Sequence, residues 1–90
     1  MLTDKEYFEQ AKLYYKELQE IVSKYENYNE CIKSFKQQDI RIYETCADLD
    51  YKNLTVTISN RNNKPLLTED IEIWDDMEGI FVGSYDINKI

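Results

Sequence analysis

The side chains of this chain that could carry out chemistry are mainly carboxylates. Its 90 residues include 18 Asp and Glu against 11 Lys and Arg, for a formal charge of −7, and they contain no His. The commonest general base and metal ligand is therefore missing. Cys31 would need a base to make it a nucleophile, and no His is available for that role. We therefore expect no catalytic residue, no metal site, no cofactor and no enzymatic activity.

One carboxylate pair has a spacing that could serve a metal ion. Asp48 and Asp50 stand at the spacing of the first two ligands of a calcium-binding loop. Such a loop also needs Gly at its sixth position and Glu at its twelfth, where this chain has Asn53 and Ser59. The match fails at both positions, so the pair does not predict a calcium site.

The carboxylates are concentrated in the second half of the chain. Residues 1–38 have a net charge of −1, whereas residues 39–90 have a net charge of −6. The densest run, residues 69–78, contains six acids and no base. Such a run destabilises the folded chain through self-repulsion, so we expect an offsetting use for it, either in binding or in solubility alone.

The alternation of a β-strand sorts this run into two faces. If Ile71, Ile73 and Met77 face the core, Trp74 and the acids at alternate positions share the opposite face. Alternate carboxylates on a strand lie about 6.5–7 Å apart, close to the spacing of phosphates along a nucleic-acid strand. Trp74, the only Trp, either anchors a partner there or folds over the sheet edge. The predicted partner-binding residues are Glu69, Asp70, Glu72, Trp74, Asp75, Asp76 and Glu78.

An amphipathic helix is predicted from Thr3 to about Gln38. This stretch contains no Gly or Pro, and Thr3 with Glu6 forms a capping-box pattern at its start. An unbroken helix of this length would span about 54 Å and extend beyond a small sheet. We favour the continuous helix, which implies a homodimer; a break near residues 26–30 is the alternative. The predicted oligomer interface comprises Tyr14, Ile21 and Tyr28.

After Gln38 the apolar period changes from about 3.6 to 2, which indicates strands. Short polar connections favour an antiparallel meander. The predicted fold class is α+β, with the N-terminal helix packed on a four-stranded sheet in a single domain, 1–90 (helix 3–38, sheet 39–88). A polar turn is expected at residues 48–53. The predicted strands are Asp39–Ala47, Leu54–Ser59, Leu66–Asp75 and Ile80–Ile87.

Composition also constrains the location and partners. The sequence has neither a signal-peptide pattern nor a run of about 20 apolar residues, so we expect a cytoplasmic protein without a membrane partner. Cys31 and Cys46 are expected to be free thiols, as is usual in the cytosol. The negative charge repels nucleic acid and attracts basic protein surfaces.

Three functions fit this pattern. The first is a small acidic protein that occupies the basic, nucleic-acid-binding surface of a partner, such as a phage or mobile-element inhibitor of a nuclease or defence effector. The second is a structural or assembly module that dimerises or docks through its helix, with acids that only keep it soluble. The third is an immunity-type protein that neutralises a basic toxin.

Overall fold

The computed structural model describes residues 2–90 as two helices packed on a five-stranded sheet. The strands follow one another across the sheet in chain order, and every neighbouring pair is antiparallel. The elements are α1 (Asp4–Val22), α2 (Tyr28–Ser34), β1 (Asp39–Ile42), β2 (Cys46–Tyr51), β3 (Leu54–Arg61), β4 (Lys64–Asp75), β5 (Ile80–Asp86) and a 3₁₀ turn (Ile87–Lys89). The α+β class and the antiparallel meander are confirmed, with five strands in place of four.

Helix α1 begins at the predicted capping box. The Thr3 Oγ1 accepts a hydrogen bond from the backbone N–H of Glu6 at 3.2 Å, and the Thr3 N–H donates to Glu6 Oε1 at 3.1 Å. These two bonds satisfy amide groups that the first helical turn leaves unpaired. Asp4 and Glu6 also place negative charge at the positive end of the helix dipole.

The favoured continuous helix is wrong, and the alternative of a break is right, although the break occupies residues 23–27 and not 26–30. Helix α1 ends at Val22, and α2 begins only at Tyr28, where Asn27 Oδ1 accepts from the Glu30 N–H at 3.1 Å. Asn caps a helix better than it continues one, so the break follows local preference. The Tyr28 N–H donates to the Asn63 carbonyl oxygen at 2.6 Å, which fixes the start of α2 to the β3–β4 turn.

The break removes the reason for expecting a helix pair. Helix α1 has 19 residues and spans about 28 Å, close to the length of the strands beneath it. Tyr28 is only 5% exposed and lies in the core, so its side chain is not available to a second copy. Tyr14 and Ile21 are half-buried and pack against the same core. Tyr28 therefore cannot belong to the predicted oligomer interface, and the long overhanging helix from which that interface was inferred does not form.

The fifth strand arises where a single strand and a turn were predicted. The segment 39–47 divides into β1 and the start of β2, joined by a hairpin in which the Tyr43 N–H donates to the Cys46 carbonyl oxygen at 2.8 Å. Asp48 and Asp50 belong to β2 and not to a turn. The residues that alternate with them, Ala47 and Leu49, are fully buried, so this segment has the alternation of a half-exposed strand.

Tight turns join the remaining strands. Strands β3 and β4 continue to a two-residue turn at Asn62 and Asn63, whose φ angles are +53° and +69°. Asn tolerates this left-handed backbone better than most residues, and two such residues suit the twist of a hairpin. Gly79 has φ +66° and ends the predicted turn between β4 and β5.

The helices cover one face of the sheet, and the other face is open. One buried cluster joins α1, α2 and the inward side chains of β2, β3 and β4. The Tyr15 hydroxyl crosses this layer and donates to the Thr68 carbonyl oxygen at 2.8 Å. The opposite face carries polar side chains at the alternate positions of the same strands. Acidic side chains on this face are therefore not covered by the helices.

Candidate functional site: two clefts that meet at Trp74

The acidic run extends around one end of the sheet instead of along a single face. Ile71 and Ile73 are 2% and 0% exposed on the covered face, and Glu72 lies on the open face, as predicted. Met77 was expected to face the helix, but it is 96% exposed because the chain has already turned there. The uniform outward alternation therefore holds only within β4 and fails beyond Asp75, where the strand ends.

Trp74 lies at the end of the sheet, between the two faces. It is half-buried, and its ring meets Phe81 of β5 edge-to-face with the ring centroids 5.1 Å apart. The pairing of β4 with β5 shifts by one residue between Ile73 and Trp74, which places Trp74 opposite Phe81. Trp74 is therefore partly folded over the edge strand, and it also lines both of the clefts described next.

The first cleft lies on the open face of the sheet and has a volume of about 480 Å³. Arg41 holds Asp50 there through two hydrogen bonds, Nη1 to Oδ2 at 2.9 Å and Nη2 to Oδ1 at 3.1 Å. This pairing lowers the pKa of Asp50, against the opposing effect of burial. Asp39, Glu72 and Lys52 also line this cleft, in which acids outnumber bases. We call this the open-face cleft.

The second cleft lies between the start of α1 and the β4–β5 turn, and has a volume of about 690 Å³. We call it the hairpin cleft. Its walls combine aromatic rings, amides and carboxylates. Among the described residues, 2–90, those that line it include no Lys or Arg. They are Leu2, Tyr7, Gln10, Tyr14, Asn53, Trp74, Asp75, Asp76, Met77 and Glu78.

The carboxylates of the hairpin cleft are held close together by the turn. Asp75 Oδ1 accepts from the backbone N–H of Met77 at 3.0 Å and of Glu78 at 3.4 Å. Burial raises the pKa of Asp76, and the neighbouring Asp75 carboxylate raises it further. Burial followed by the Asp75 carboxylate likewise raises the pKa of Tyr7, which is 7% exposed. The cleft is therefore a site of concentrated negative charge.

Two buried polar atoms near this cleft lack hydrogen bonds. Asn53 is 5% exposed, and its Oδ1 has no partner within residues 2–90. The indole Nε1 of Trp74 is also buried without a partner in that part of the chain. The backbones of these two residues are joined, since the Trp74 N–H donates to the Asn53 carbonyl oxygen at 2.9 Å. Leaving such groups unpaired costs free energy, so each is a candidate for ligand contact.

Lys52 lies in the β2–β3 turn, beside Asn53 of the hairpin cleft, and Glu17 of α1 holds its ammonium group. Its Nζ contacts Glu17 Oε2 at 2.8 Å and lies 4.3 Å from the centroid of the Tyr14 ring. Tyr51 donates its hydroxyl to the same Glu17 oxygen at 2.9 Å. The Lys52 ammonium group therefore lies against the Tyr14 ring of the hairpin cleft, and its charge is neutralised by Glu17 and not by the acidic run.

The acidic run makes no ion pair among residues 2–90. The ion pairs there are Lys33–Glu30, Arg41–Asp50 and Lys52–Glu17, and none involves an acid from residues 69–78. In the same part of the chain no group of three or more His, Cys, Asp or Glu side chains is placed to hold a metal ion. Unpaired carboxylates of this kind can attract lysine and arginine side chains of another molecule.

The structure brings together only part of the predicted partner-binding set. Trp74, Asp75 and Asp76 line both clefts, Glu72 lines the open-face cleft, and Glu78 lines the hairpin cleft. Glu69 and Asp70 are exposed further along β4 and line neither cleft.

Sequence reasoning missed the residues that distant segments bring to these clefts. Asn53, Tyr7 and Gln10 line the hairpin cleft, while Asp39, Arg41 and Asp50 line the open-face cleft. One signal was available: Asp48 and Asp50 alternate with Ala47 and Leu49, which indicates a strand with an acidic outer face. No local pattern marks Asn53 or Gln10, because the fold alone places them beside Trp74.

Comparison of the chain with protein-family models, with curated proteins and with solved structures finds no significant match to any of them. Within residues 2–90, neither helix combines the length and the apolar character needed to cross a lipid bilayer. Both cysteines are free thiols, and Cys31 is buried. The functional proposal therefore rests on the geometry and charge of this chain alone.

Proposed function

We propose that this protein is a non-enzymatic binding protein that occupies the basic surface of a partner protein. The observation that supports this most directly is the acidic run around Trp74, whose six carboxylates make no ion pair within residues 2–90. Carboxylates left unpaired repel one another, and a cationic partner removes that repulsion on binding. The open sheet face extends the same surface, since only Arg41 neutralises an acid there within that part of the chain.

The partner class we propose is a nucleic-acid-binding protein. Its basic surface would accept carboxylates in place of phosphates, and a nuclease or defence effector blocked in this way fits a phage or mobile-element inhibitor. The chain itself carries a charge of −7 and would be repelled by nucleic acid. Free thiols suit a partner met in the cytoplasm.

The test compares two triple charge reversals that change the net charge equally. Glu72→Lys, Asp76→Lys and Glu78→Lys alter the acidic run while leaving the turn-forming Asp75 intact. Glu9→Lys, Glu20→Lys and Glu26→Lys alter exposed helix-side acids as the control. We expect the first triple to abolish capture of the partner from a lysate of the cells in which the protein acts, and the control to retain it, because charge complementarity at the interface is local.

Two further measurements identify the captured surface. Raising the salt concentration should weaken capture, because the distance over which surface charges attract falls from about 10 Å at about 0.1 M salt to about 3 Å at about 1 M. Duplex DNA or structured RNA should release the captured protein if this chain occupies a nucleic-acid-binding surface. Capture that is equal for both triples, insensitive to salt and unaffected by nucleic acid would overturn the proposal.

A further inference from the structure

The hairpin cleft is large enough to admit an arginine side chain together with part of the backbone beside it. We propose that it binds the guanidinium group of an arginine on the partner, against the ring of Trp74 and between Asp76 and Glu78. This inference rests on the proposed function, which it deepens by naming the anchoring group. The volume of about 690 Å³ lies within the range of about 300–1,000 Å³ typical of ligand sites.

The unpaired atoms of the cleft favour a donor-rich ligand. The buried Asn53 Oδ1 lacks a donor, and the exposed carboxylates of Asp76 and Glu78, which make no ion pair within residues 2–90, can accept further hydrogen bonds. A guanidinium group offers five N–H donors in a plane and no acceptor. The Trp74 Nε1 requires an acceptor instead, and a backbone carbonyl next to the arginine can supply it.

The walls of the cleft favour arginine over lysine and over a metal ion. Trp74 and Tyr14 offer aromatic faces, on which a planar guanidinium stacks better than a compact, strongly hydrated ammonium group. The acids do not form a cluster suited to a metal ion within residues 2–90. Lys52 already occupies one face of the Tyr14 ring, with its Nζ 4.3 Å from the ring centroid, so Trp74 is the main aromatic surface for a partner's guanidinium.

The experiment uses three blocked peptides that are identical except for one central residue, which is arginine, lysine or citrulline. Citrulline keeps the shape of arginine but has no charge. Trp74 is the only Trp and lines both clefts, so its fluorescence reports binding at this end of the sheet, and the loss on changing Glu78, which lines only the hairpin cleft, assigns that binding. We expect saturable binding of the arginine peptide, weaker binding of the lysine peptide and none of the citrulline peptide.

Two double variants remove the same charge from different places. Asp76→Asn with Glu78→Gln removes two carboxylates from the cleft, while Asp70→Asn with Glu69→Gln removes two from β4 outside it. None of the four side chains makes a hydrogen bond or an ion pair in the part of the chain that the structure describes. The first pair should weaken arginine-peptide binding about tenfold or more, and the second by less than about twofold.

Failure of this inference can be told apart from failure of the proposed function. Equal binding of the arginine and citrulline peptides, or equal losses in the two double variants, would overturn the cleft assignment. Salt-sensitive capture of a nucleic-acid-binding protein would in that case still support the proposed function. Conversely, selective binding of the arginine peptide without any such capture would support the cleft and overturn the nucleic-acid-binding partner.

Discussion

The two faces of the sheet are built from the same strands by different physical means. On the covered face Leu49, Ile58 and Ile73 are all 0% exposed, so apolar burial beneath the helices fixes them. On the open face Thr57 Oγ1 donates to Asp48 Oδ1 and Thr55 Oγ1 to Asp50 Oδ1, each at 2.8 Å. The open face therefore has an ordered polar surface, held by hydrogen bonds between neighbouring strands.

The contrast shows where binding capacity remains. Among the open-face acids, Asp48 and Asp50 of β2 already have internal partners, because Arg41 and two Thr hydroxyls hold them, whereas Asp39 of β1 has no ion pair within residues 2–90. Around Trp74 the acids have no cationic partner within residues 2–90. The densest group of carboxylates without an ion pair in that part of the chain therefore lies at the β4–β5 turn, where an external cation can bind.

The largest expected effect is on the covered face. Replacing Ile73, which is fully buried, with Ala should lower the free energy of unfolding by about 2–5 kcal/mol, because the lost apolar contacts leave a cavity. Ile80, which is 52% exposed on β5, is the control, and Ile80→Ala should cost less than about 0.5 kcal/mol. Urea unfolding monitored by circular dichroism measures both. Similar losses for the two variants would contradict the assignment of Ile73 to the core.

A smaller effect is expected on the open face, and it depends on pH. The Arg41 guanidinium lowers the pKa of Asp50 below its ordinary value of 3.8, so the folded state binds this proton less readily than the unfolded chain does. The pair therefore stabilises the fold above that ordinary value, and this contribution is lost as the pH falls through the lower folded-state pKa.

We expect Asp50→Asn to remove the acid-dependent stability that this carboxylate contributes, and Arg41→Gln to remove the larger part of it, because Thr55 still donates to Asp50 in the second variant. Each should amount to less than about 1 kcal/mol, because the ion pair is partly exposed and screened by solvent. Unfolding midpoints measured from neutral to acidic pH in the two variants and the unmodified protein provide the comparison. An acid dependence unchanged by either substitution would show that the pair does not contribute to it.

The smallest expected effect is a difference in the rates at which a reagent modifies the two cysteine thiols. Cys31 of α2 is fully buried in the covering layer, and burial raises the pKa of its thiol to about 11. Cys46 of β2 is half-buried and alternates with the buried Ala47. A thiol-specific reagent at neutral pH should modify Cys46 in the folded protein and reach Cys31 only after unfolding. Equally rapid modification of both would show that the helices do not cover that face.

Much of the fold could be predicted because local chemistry decides it. The capping box of Thr3 and Glu6, the strand from Leu54, and the turn ending at Gly79 all have signals within a few residues. The errors occurred where the local sequence fits two different structures. Apolar positions continue in phase from Tyr25 to Tyr28, yet Asn27 caps a new helix; and Asp48–Asp50 suits a turn by residue type but a strand by alternation.

The candidate site could be predicted only in part, for a different reason. The carboxylates of the acidic run are visible in the sequence because they are adjacent there. Their partners in the clefts come from α1, β1, β2 and the β2–β3 turn, and no sequence pattern records that these segments meet at Trp74.

The sequence by itself determined the acidic charge, the absence of His, the helix-then-sheet order and the apolar face of each main strand, because these depend on residue type and short-range spacing. Only the tertiary structure decided that the helix breaks, that Tyr28 is buried, and that the end of the acidic run lines the hairpin cleft. Those outcomes depend on how the chain packs, since burial and the pairing of charges are set by neighbours distant in sequence.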